Sequence, residues 1–116
     1  MAPVIHIVMF QFKEDVSTET IKEMSDRMLG LKTNCIHATT KQPYILSSRG
    51  GTDMSIEGLT QGYTHAYVVE FASKEDRDYY VKEDPVHAAY VKDVVPLLIK
   101  PCIFDYHPGE FTHTKL

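Results

Sequence analysis

Few cysteines, no long apolar run and no block of like charge mark this 116-residue chain, and each absence removes a class of protein. The two cysteines, Cys35 and Cys102, have neither metal nor redox spacing. They are also too few for a disulfide framework, so a reducing, cytoplasmic compartment is expected. No segment reaches the roughly 18 apolar residues that span a bilayer, which argues against a membrane protein. The net charge of −4 is scattered without a basic block, so nucleic acid and anionic membranes are not expected partners. There is no glycine-rich phosphate motif and no thiol cluster, so no cofactor and no metal are expected.

What remains is a chain of ordinary globular composition, 43% apolar, of a length that suits one domain. The N-terminal MAPVIHIVMF lacks a basic leader and a small-residue cleavage site, and reads as a first strand rather than a signal peptide. Across residues 4–12, His6, Val8, Phe10 and Phe12 share one face while Ile5, Ile7, Met9 and Gln11 share the other. Ser17 or Thr18 can cap a helix carrying Ile21, Met24, Met28 and Leu31, with Gly30 near its end. A strand is expected around residues 44–48, entered through Pro43. Residues 49–62 hold four glycines and read as a flexible loop.

Residues 63–71 form the clearest strand, with Tyr63, His65, Tyr67, Val69 and Phe71 on one side. Ser73 opens a helix to about Lys82, and Asp84-Pro85 restarts one with Asp at the cap and Pro in the first turn. Pro96 disturbs that second helix, and residues 99–106 supply a last strand. The domain is therefore placed at 1–106, with 107–116 as a C-terminal tail. The order β-α-β-β-α-β predicts a ferredoxin-like α+β fold with a four-stranded antiparallel sheet. Helices can cover only one face of such a sheet, yet strand 1 is apolar on both. A homodimer packed sheet to sheet, a dimeric α/β barrel, removes the exposed apolar face.

Two phrases then become specific. Gly62-Tyr63-Thr64-His65, opening the third strand, and Asp84-Pro85-Val86-His87, after Tyr79-Tyr80, combine with HIVMFQFK and IFDY in order over about residues 4–106. This pattern resembles the stress-responsive A/B barrel (Dabb) family, with a glycine-rich loop like that of fungal-type members. The resemblance implies a dimeric barrel. Family members include heat-stable plant stress proteins and olivetolic acid cyclase, which closes a linear polyketide by aldol condensation.

Carried over by residue, the resemblance makes His87 the general-base candidate and Tyr80 the carbonyl-polarising tyrosine, with Tyr79 as the alternative. It makes His6, Val8, Phe10, His65, Tyr67, Tyr90 and Ile103 a substrate-binding lining. This chain departs from the pattern by one extra residue before Pro85, by Asp84 in place of a histidine, and by Leu98 in place of a pocket aromatic. A neutral imidazole can remove an activated proton and a phenol can donate to the resulting enolate oxygen. The leading expectation is nevertheless a stress-associated protein with an apolar cavity for a small hydrophobic or polyketide-like ligand and no established catalysis. A cofactor-independent cyclase or lyase is the alternative, and a cofactor-free monooxygenase the third.

Overall fold

The computed structural model describes residues 2–112, so the last four positions of the expected tail lie outside the described residues. Its elements run β1 (Val4–Phe12), α1 (Thr18–Asn34), β2 (Ile45–Thr52), β3 (His65–Phe71), α2 (Lys74–Lys82), α3 (Pro85–Val94) and β4 (Leu98–Tyr106). A single 3-10 turn at Val95–Leu97, containing Pro96, joins α3 to β4. The four strands form one antiparallel sheet in the order β2-β3-β1-β4. This is the ferredoxin-like α+β fold that the element order predicts.

Strict alternation in β1 puts Val4, His6, Val8, Phe10 and Phe12 beneath the helices, all buried. From α1, Met24, Met28 and Leu31 meet this stripe, each burial contributing about 1.5–3 kcal/mol. The helix starts where Ser17 accepts the N–H of Thr20 and continues past Gly30, because Leu31 is buried and the Cys35 N–H closes onto its carbonyl. Gly30 is therefore an interior helix residue and not an end signal. The opposite sheet face carries Ile7 and Met9 in register with Val68, Ala66, Phe104 and Cys102, and Ile5 between Glu70 and Tyr106. No helix covers it; Phe104 is 60% exposed.

The stretch expected as a loop from residue 49 is strand as far as Thr52. Glycine there serves close packing: a Cβ on Gly50 would lie 2.6 Å from the Tyr67 ring and 2.5 Å from the Ala66 carbonyl. The remaining connection is anchored at its far end, where Lys100 donates to the Gln61 carbonyl at 2.6 Å and sits over the Tyr63 ring. Among the described residues, no helix is long and apolar enough to cross a membrane.

Candidate functional site

Between the sheet and α3 lies a cavity of about 330 Å3. Its floor is built from His6, Val8, Phe10, Tyr90 and Leu98, all buried; Val81, Val95 and Ile103 at the rim are about half exposed. Apart from the two imidazoles of His6 and His87 and the Tyr90 phenol, every lining side chain is apolar. The Tyr90 hydroxyl is already committed, donating to the Met24 carbonyl at 2.9 Å.

Both imidazoles are held from behind. His6 Nδ1–H donates to Asp105 Oδ1 at 2.6 Å, and Asp105 Oδ2 accepts from Arg77 at 2.7 Å. Burial alone would raise the Asp105 carboxyl, but the bonds from His6 and Arg77 outweigh it and hold it below the usual carboxylate range. His87 Nδ1 lies 2.8 Å from the Tyr80 carbonyl, which can only accept, so that nitrogen carries the proton. In the neutral ring Nε2 is then left with its lone pair free. Burial pushes His87 below the ordinary imidazole value, with the Tyr80 carbonyl and Asp84 opposing and His6 assisting. Each ring therefore has a fixed orientation and an unengaged nitrogen.

The start of α3 places His87. Asp84 accepts from the Val86 and His87 N–H groups at 2.8 and 3.3 Å, as an N-cap should. Its other oxygen accepts the Tyr44 hydroxyl. Beside it, burial and then the Asp84 charge push the Cys35 thiol up to about 12.

Of the residues expected in one lining, His6, His87, Val8, Phe10, Tyr90 and Ile103 meet in this cavity. Tyr80 sits beside it: its ring stacks on His87 with centroids 3.8 Å apart, and its hydroxyl is buried with no hydrogen-bond partner. Burial drives that phenol well above its ordinary value. Tyr79 turns the other way, stacked on His37 and edge-on to Tyr44. His65 and Tyr67 lie elsewhere, in a groove between α1 and β2, with Tyr67 bonded to Ser25 at 2.6 Å and His65 to Thr64 at 2.8 Å. Alternation gave them the right face but could not give their lateral displacement toward β2. Asp105 and Arg77 were missed altogether, although an acid on the helix-facing stripe of an edge strand is a readable signal. The described residues contain no group of three or more metal-ligating side chains.

Comparison with known proteins places this geometry among relatives. The sequence pattern of the family described as Stress responsive A/B Barrel Domain matches residues 4–108. The chain is 34% identical over 106 residues to the stress-response A/B barrel domain-containing protein HS1 of Arabidopsis thaliana, covering 91% of this chain and 90% of that protein. In structure it is similar to the hydroxynitrile lyase of Passiflora edulis, with TM-score 0.82, 24% identity and coverage of 97% and 98% of the two chains. It is also similar to a dimeric ferredoxin-like protein of unknown function from a Jannaschia species, with TM-score 0.73, 18% identity and coverage of 90% and 98%. At those identities the two structures speak for the fold.

Proposed function

From the premise that this chain belongs to the stress-responsive A/B barrel family, we propose that it binds a small, largely apolar ligand in the cavity above β1. The observation that carries this reading is the pair of oriented imidazoles at the floor of an otherwise apolar chamber of about 330 Å3. Pockets of this kind use apolar walls for affinity and a few fixed polar groups for orientation. The buried, partnerless Tyr80 hydroxyl next to His87 is a further donor left over by the fold. The test is calorimetric titration with small hydrophobic and polyketide-like carbonyl compounds. His87→Ala should weaken binding, and equal affinities in wild type and variant would remove the cavity from consideration.

We place the working unit in the cytoplasm as a homodimer joined through the uncovered face of the sheet. Ile5, Ile7, Met9 and Val68 form its centre, and an apolar expanse of this kind is uncommon on a soluble monomer. Light scattering at micromolar concentration should give twice the chain mass.

A second reading is favoured by one feature, the free Nε2 of His87 in its neutral ring. In a cofactor-independent lyase or polyketide cyclase, His87 would take the proton. Tyr80, whose hydroxyl has no partner in the fold, would donate to the carbonyl oxygen after a small shift of its ring. The likeness to a hydroxynitrile lyase adds cyanohydrins to poly-β-keto compounds as substrates to try. Identical product profiles from wild type and His87→Ala would discard this reading and leave the binding role untouched.

A further inference from the structure

The side chains lining the cavity above β1 have spent every polar hydrogen they own. His87 Nδ1–H donates to the Tyr80 carbonyl at 2.8 Å, and His6 Nδ1–H donates to Asp105 at 2.6 Å. In the neutral rings each Nε2 keeps a lone pair and carries no hydrogen. Neither nitrogen is sealed off: among the described residues, the enclosed side-chain nitrogen and oxygen atoms without a partner are Ser48 Oγ and Tyr80 Oη. His6 is 3% exposed as a residue, so the space open to its Nε2 is the cavity. The Tyr90 hydroxyl gives its hydrogen to the Met24 carbonyl, and the Tyr80 hydroxyl lies outside the lining unless its ring moves. The remaining walls, Val8, Phe10, Val94 and Leu98 among them, are apolar. Two acceptors therefore face a chamber whose side chains offer no donor.

A ketone, ether or nitrile brings only lone pairs, which would meet lone pairs here with the water stripped from both. A carboxylate adds a charge, and no lining side chain is a lysine or arginine. An ammonium brings three hydrogens and a tight hydration shell to two neutral nitrogens, while both oxygens of Asp105 are already taken by His6 and Arg77. A hydroxyl brings one hydrogen to give and little else to desolvate. His87, half-buried and backed by a neutral carbonyl, keeps its lone pair at neutral pH. We infer that the cavity selects neutral alcohols and phenols, whose hydroxyl donates to Nε2 of His87 while the carbon skeleton packs against Val8, Phe10 and Val94. This deepens the reading of the cavity as the ligand site, and rests on it.

The test is a matched series on one skeleton, 1-phenylethanol, acetophenone and 1-phenylethylammonium, titrated against the full chain at pH 8, above the ordinary imidazole value of about 6.5. The wild type should bind the alcohol on the order of tenfold tighter than the ketone, with the ammonium weakest. The His87 Nε2 resonance in nitrogen NMR should move upfield with the alcohol and stay in place with the ketone. His87→Phe keeps a ring to stack on Tyr80 but removes the acceptor, and should bring the alcohol-to-ketone ratio close to one. Acetophenone binding as tightly as the alcohol in the wild type would overturn the inference, whatever the variant does. So would an unmoved Nε2 signal with alcohol bound, or an unchanged ratio in folded His87→Phe. Binding of none of the three would overturn the cavity reading as well, a result distinct from binding without preference for the alcohol.

Discussion

The two faces of this sheet are made from the same strands and could hardly differ more. Beneath the helices, alternate residues bring His6, Phe71, Tyr67 and Asp105 into a packed layer where polar groups have assigned partners and fixed orientations. On the other side Ile5, Ile7, Met9, Val68 and Phe104 form an apolar centre, with Glu70, Arg49 and Lys100 around it. The difference shows where a small fold can keep chemistry. Titratable groups require a second layer to orient them, whereas association requires only area and shape.

The largest effect should come from breaking the covered face. Phe71, fully buried, packs its ring against those of His6, Tyr44 and Tyr80, so Phe71→Ala should cost about 3–5 kcal/mol and loosen both imidazoles. Chemical denaturation reads the stability, and His6 and His87 ring signals by NMR read the loosening. Unchanged ring signals would show that the site does not depend on this packing. On the open face, Ile7→Asp should leave the monomer folded by circular dichroism. It should weaken the proposed dimer by on the order of 100-fold, since the two charged copies would meet in a desolvated interface. Retained dimer mass by light scattering would place the interface elsewhere.

Acid should sharpen the contrast in a smaller, graded way. His87 is held below its unfolded value of about 6.5, so its stabilising contribution is complete above that pH and is lost as pH falls through the folded value. Asp105 is likewise depressed; its contribution is present above about 3.9 and lost as pH falls further. Two stages of acid destabilisation are expected in urea midpoints measured against pH. His87→Gln should abolish the first and Asp105→Asn the second, while no open-face substitution should touch either. The smallest effect belongs to Lys22→Ala. Its pair with Asp26 is solvent-exposed on α1, and the change should stay within about 0.5 kcal/mol.

Much of the architecture was legible because it depends on local period and punctuation. The alternation in β1 and β3, the Ser17 and Ser73 caps, and the Asp84-Pro85 restart are all where the residues point. The end of β2 was not, because glycine ordinarily signals a turn and only the tertiary approach of Tyr67 explains Gly50. The cavity histidines became visible through the family phrases. Their partners did not: Asp105 lies 99 positions from His6, and Tyr44 lies 40 from Asp84. Pairings at that distance are created by sheet register and helix docking, which no local window contains. His65 and Tyr67 illustrate the converse, since a period of two assigns a face but not a place upon it.

Cys35 closes the corner where α1 ends against Asp84, fully buried and with its thiol pushed up to about 12. In its closed form this corner should hardly react with alkylating reagents, because the nucleophile is the thiolate and neither charge nor access is available. Modification then waits on a transient opening that parts Cys35 from Asp84, the same carboxylate that holds the start of α3. The thiol is thus a built-in clock: its labelling rate counts how often the clamp behind His87 lets go.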